Sequence, residues 1–249
     1  MEISALTRTV VKHNHAVICP DGYINSNVPG WADCTVNVII NEAMGAGFCQ
    51  NLVTFTKNGK LKGETFASQI FFYVISGKCT ATIDWGKSKT LVAGQFVYVP
   101  VLKDYVFENA EEGTKILSFH SPYEQLNGYN IPDIMFGDSR EVPAKAFMGD
   151  EALQLQVLLP EDFQFDMAVN IFTFEPGGHL PFVETHVMEH GVLFLHGQGV
   201  YMLDEQWYPV KDGDAIWMAP YCRQWFTAMG KQAATYIYYK NINRFPTKI

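Results

Sequence analysis

The stretch PGGHLPFVETHVMEHGVLFLHGQG, residues 176–199, crowds Glu184, His186 and His190 into seven positions of a chain that has only seven histidines. A carboxylate and two imidazoles are ligands for a divalent cation and also the parts of acid–base chemistry. On a strand, residues two apart share a face, so Glu184 and His186 point the same way. His190 rejoins them if a tight turn falls at residues 187–189 and a second strand, HGVLFLHG, begins there. Gly178, six before Glu184, and Gly197, seven after His190, bracket the set. The plain alternative is a chance spacing of ordinary strand and turn residues.

The elements that must position these groups read as strands. Short alternating or β-branched segments, among them TVNVII, NLVTFT, KCTATID, MAVNIFTF and ATYIYYK, are separated by Gly, Asn, Asp and Pro, the pattern of an antiparallel all-β chain. The one helical pattern, EALQLQVLLPEDF, is weak and is interrupted by Pro160. An internal repeat is more informative: YVISGKCTATIDWGKSKTLVAGQFVYVP (73–100) aligns with LFLHGQGVYMLDEQWYPVKDGDAIWMAP (193–220) at an offset of 120 residues. Gly77 then matches Gly197, Asp84 matches Asp204, and Gly94 falls opposite Gly213. In the first copy the positions of Glu184, His186 and His190 hold Glu64, Phe66 and Ile70, so that copy cannot bind a metal in the same way. Residues 121–150, rich in Pro, Gly, Asn and Asp but also aromatic, read as a connector packed on a surface.

Composition bounds the function. The 249 residues suffice for one large or two ordinary domains, and 48% hydrophobic with 18% charged residues is globular usage. A formal charge of −8 offers no basic stripe, which argues against nucleic acid and anionic membranes and leaves a small-molecule substrate or a protein as the expected partner. No apolar run approaches the roughly 20 residues of a spanning helix, and the opening MEISALTRTVVKHNHAVICP lacks the pattern of a secretory signal. Five cysteines without Cys-x-x-Cys spacing argue against disulfides and thiolate zinc, so a cytoplasmic protein is expected.

The bracketed set resembles the first motif of the cupin superfamily, with Glu184 in place of the first His and His190 in place of the Glu. The fold this implies is all-β: a tandem cupin, or bicupin, of two antiparallel jelly-roll barrels. Residues 1–125 form a first barrel without metal ligands and with an N-terminal extension; residues 126–249 form the connector and the metal-binding barrel. The second cupin motif counts eleven residues from its Gly to a ligand; from Gly213 that position is Gln224, and from Gly94 it is Tyr105. Two imidazoles, a carboxylate and an amide oxygen suit an octahedral divalent ion with two open positions, Mn²⁺ first, with Fe²⁺ or Zn²⁺ as substitutes. A rival uses the same letters: HVMEH, 186–190, is an H-x-x-E-H string that on a helix would make a zinc site with Glu189 as general base. Pro181 before it and Gly191 directly after leave no adequate helix.

Within the superfamily the whole chain, above all ETHVMEHGVLFLHGQGVYMLD, resembles the (S)-ureidoglycine aminohydrolase family, manganese-dependent bicupins of allantoin breakdown that assemble as homo-oligomers. The resemblance implies metal ligands at Glu184, His186, His190 and Gln224, and substrate contacts at Tyr201, Tyr236 and Lys240 as well as at Glu184. Glu184, Tyr236 and Lys240 carry the catalytic roles. The reaction implied is hydrolytic release of ammonia from ureidoglycine to give ureidoglycolate. His13 and His15 read as surface or strand residues, His179 and His196 flank the motif with His179 as an outer contact, and His120 is assigned no role. Two other classes stay open: a different bicupin metalloenzyme, such as a dioxygenase or isomerase, and a non-catalytic cupin binding protein.

Overall fold

The two copies of the repeat fold alike. Lys78–Ile83 and Gln198–Leu203 bury alternate residues in the same order, as half-buried strands must. The matched turns share a backbone conformation as well: φ is +80° at Gly77 and +77° at Gly197, +52° at Asp84 and +56° at Asp204, +88° at Gly94 and +83° at Gly213. Left-handed φ is open to Gly and tolerated by Asp, so the residue types that punctuate the repeat are those its turns require.

The computed structural model describes residues 7–244; residues 1–6, part of the stretch read above for a secretory signal, lie outside the described residues. Apart from single turns of 3-10 helix at Pro20–Gly22 and Glu42–Met44, the regular elements described are strands, all paired antiparallel in curled sheets. The faintly helical segment after residue 150 is the strand Asp150–Val157, paired with Met167–Phe174. Its apolar residues are claimed by sheet neighbours, which outweigh a weak local preference. No described helix is long and apolar enough to cross a membrane.

Three apolar layers hold the molecule together. One fills the first barrel, with Phe72, Phe107 and Leu91; one fills the second, with Phe174, Phe194 and Phe226. The third lies between them, where Phe71, Phe96 and Phe119 of the first half meet Met167, Trp217 and Tyr239 of the second. Strand Ala234–Asn241 serves two of these layers by alternation: Tyr236 and Tyr238 face the second barrel's interior, Ile237 and Tyr239 the layer between the halves.

Strands also cross between the halves. His15–Ile18, from the N-terminal extension, pairs with Ala215–Met218 of the second barrel. Met135–Asp138, from the connector, pairs with Gln95–Val99 of the first, the strand that matches Ala215–Met218 in the repeat. Side chains fasten each added segment: Arg8 pairs with Asp214 at 2.6 Å, and Gln95 Nε2 donates to Asp138 at 3.1 Å.

Candidate active site

Register brings the predicted residues to one end of the second barrel. Glu184 and Gln224 are directly opposite, exchanging backbone bonds of 2.8 and 2.9 Å, so their side chains leave the same face side by side. His190 begins the strand His190–His196 and is directly opposite Lys240. His186 lies in the turn before it, which makes HVMEH a turn and a strand start rather than a helix. Glu189 of that string turns to the layer between the halves, and the zinc-peptidase reading ends there.

The side chains converge. His186 Nε2 lies 3.1 Å from His190 Nε2 and 2.9 Å from the Gln224 amide. Each imidazole meets a backbone carbonyl through its other nitrogen, His186 Nδ1 with Met188 at 3.1 Å and His190 Nδ1 with Tyr239 at 3.2 Å. A carbonyl only accepts, so each Nδ1 carries the proton and each Nε2 presents a lone pair. Burial pushes the His190 pKa down to about 3, aided by His186, and burial lowers that of His186, so both rings are neutral. Two lone pairs facing each other at this distance repel unless a cation lies between them; turning the Gln224 amide by 180° adds an oxygen to the same point. The donors therefore fit a divalent ion.

Glu184 lines the same cavity. Among the described residues no three His, Cys, Asp or Glu side chains form a metal-binding group, so the observed cluster is the two histidines and the amide. Burial raises the Glu184 pKa, opposed by Lys240, and its charge in turn acts on Tyr201, Tyr236 and Tyr238.

The cavity, of about 320 Å³, is walled by these groups together with Tyr201, Tyr236 and Lys240. Both tyrosines are buried, which raises their pKa values and keeps the phenols protonated as donors. No salt bridge among the described residues engages Lys240, so its ammonium is available to an anionic ligand. All seven residues proposed from sequence thus line one cavity.

Sequence reasoning missed Tyr238, Met188 and Glu161, which line it too. Tyr238 was within reach, since it lies between Tyr236 and Lys240 on one strand face; Glu161 comes from a loop with no local signal. His179 bonds its neighbour's carbonyl at 2.8 Å and does not line the cavity, and His196 is exposed. His15 is buried, with Nε2 2.8 Å from the Tyr208 hydroxyl, and ties the N-terminal strand to the second barrel.

An all-β chain with two curled barrels and an imidazole-lined cavity in one of them is a bicupin, and the cupin domain family matches residues 170–239. The (S)-ureidoglycine aminohydrolase of Escherichia coli K12 is 37% identical over 244 residues, spanning 95% of this chain and 92% of its own. That of Arabidopsis thaliana is 32% identical over 245 residues, 98% of this chain and 81% of its own. The crystal structure of the protein Ylba from E. coli superposes with a TM-score of 0.87 at 35% identity, covering 97% of both chains. The chain belongs to the (S)-ureidoglycine aminohydrolase family of enzymes.

Proposed function

We propose that the chain hydrolyses (S)-ureidoglycine to (S)-ureidoglycolate and ammonia in purine catabolism, with Mn²⁺ held by Glu184, His186, His190 and Gln224. The observation that carries this reading is the meeting of two unprotonated imidazole nitrogens beside Gln224, in a cavity whose wall also holds Lys240. When bound, the ion supplies Lewis-acid charge stabilisation without redox change. Lys240 receives the substrate carboxylate, exchanging water for a fixed counter-charge in a buried setting. Tyr201 and Tyr236, both protonated, donate to the remaining polar groups and fix the carbon under attack. Water adds to that carbon while its C–N bond breaks, and the departing nitrogen leaves as ammonia once protonated. Glu184 relays one proton, taking it from water on addition and handing it to the departing nitrogen.

The test is ammonia release from freshly generated (S)-ureidoglycine, counted above spontaneous decay, with Mn²⁺ and with chelator. Release that survives complete chelation removes the metal from the reading, and release no faster than decay removes the activity. In Glu184→Gln, full activity with Mn²⁺ bound takes the proton-carrying role from Glu184.

A further inference from the structure

We infer that Glu189 is a positioning residue through which the half without metal ligands fixes the active site, an inference that rests on the function proposed above. Glu189 is 7% exposed and precedes His190 in the chain. Its carboxylate accepts the Gly47 N–H at 3.0 and 3.2 Å, and the Trp217 indole N–H at 3.4 Å. Its own N–H donates to Asn241 Oδ1 at 2.7 Å, and Asn241 directly follows Lys240. One residue therefore joins the first half to the two strand ends that carry His190 and Lys240.

The surrounding contacts point the same way. The loop that brings Gly47 also brings Phe48, stacked on Tyr239 with ring centroids 4.3 Å apart, and the Tyr239 carbonyl orients His190 through Nδ1. Gln50 Nε2 donates to the Val192 carbonyl at 3.1 Å. The approach needs glycine on both sides: a Cβ on Gly47 would stand 2.6 Å from Glu189 Oε1, and one on Gly191 would stand 2.5 Å from the Phe48 ring. A buried carboxylate is costly, and an apolar side chain would fill the space without that cost. What the carboxylate adds is direction, because its accepted bonds set where residue 189, and so the His190 backbone, must lie.

The test compares Glu189→Ala, Glu189→Gln and Phe96→Ala in the full chain. Phe96 lies in the same layer between the halves, packed on Phe71, so its truncation weakens that layer without touching the clamp. Mn²⁺ affinity is read by electron paramagnetic resonance titration, and unfolding by thermal midpoint. Glu189→Ala is expected to raise the Mn²⁺ dissociation constant roughly 10-fold, the scale of lost outer-shell support for metal ligands. Glu189→Gln, which keeps an acceptor for Gly47, restores affinity, and Phe96→Ala loses thermal midpoint but keeps affinity. Unchanged affinity in Glu189→Ala overturns the inference, as does an equal loss in Phe96→Ala. If the unsubstituted chain binds no Mn²⁺, the functional reading has failed and amide exchange decides the clamp. Faster exchange at Gly191 and Asn241 in Glu189→Ala than in Phe96→Ala then upholds it, and equal exchange ends it.

Discussion

The two barrels share a backbone plan and differ in what they do with its open end. In the second, His190 and Gln224 border a cavity; in the first, the matching Ile70 and Tyr105 are buried in a packed interior with Phe72 and Phe107. Tyr105 fills the space that its counterpart leaves open, accepting the Trp31 indole N–H at 3.2 Å and lying so close to Gly63 that a Cβ there would stand 2.4 Å from its hydroxyl. Closing a barrel of this kind thus does not depend on the polar set. The second barrel forgoes aliphatic packing at its mouth, and the first supplies the bracing that a less densely packed site needs.

The comparison breaks most sharply if the second mouth is given the first mouth's residue. His190→Ile is expected to lower ammonia release at least about 100-fold, exceeding the loss from an outer-shell partner. Its thermal midpoint should stay level or rise, because an apolar group replaces a buried polar one. An undiminished rate would sink the assignment of His190. Next in size is Lys240→Met, expected to cost roughly 30-fold or more in kcat/KM, chiefly through KM, as loss of one partner of a buried charge pair does. Steady-state kinetics with unchanged KM would place the substrate carboxylate elsewhere.

The reverse exchange has a smaller effect. Ile70→His buries an imidazole among apolar side chains and should lower unfolding free energy by about 1–3 kcal/mol in denaturant titration without creating a Mn²⁺ site. A gain of bound metal would show that the first mouth is less filled than its packing implies. The smallest effect concerns the strand lent to the second barrel. Burial, opposed by Asp204, lowers the His15 pKa, so the unfolded chain binds the proton more readily than the folded one. The stability carried by the neutral ring is complete above the unfolded value of about 6.5 and is lost as pH falls toward the folded value. His15→Phe should flatten the dependence of the denaturation midpoint between pH 7 and pH 5; an unchanged slope would assign it to other groups.

Much of this arrangement was legible in the chain, for reasons that can be stated residue by residue. Gly77, Gly197 and their partners marked the repeat because left-handed turns restrict residue type. Strand period put Glu184 and His186 together for a reason the structure corrects, since Glu184 makes only an isolated bridge to Gln224 and His186 lies in the turn before His190; Gln224 was legible because a motif count reached it. Tyr201, Tyr236 and Lys240 needed family resemblance, since tyrosines on a strand look alike whether they pack or bind. The destination of His15–Ile18 and the direction of Glu189 were not legible. Both depend on pairing between segments far apart in sequence, and no local period encodes which distant edge a strand will join.

That long-range pairing shapes how the molecule can be made. Val17 must wait for Ile216, its register partner, so the strand His15–Ile18 is without that neighbour until some two hundred further residues have been synthesised, and its edge toward the second barrel stays uncovered meanwhile. Non-local closure of this kind slows folding, and an uncovered edge invites association with another nascent chain. A fragment beginning after the N-terminal strand would carry every side chain that lines the cavity and still present an unpaired sheet edge along Ala215–Met218.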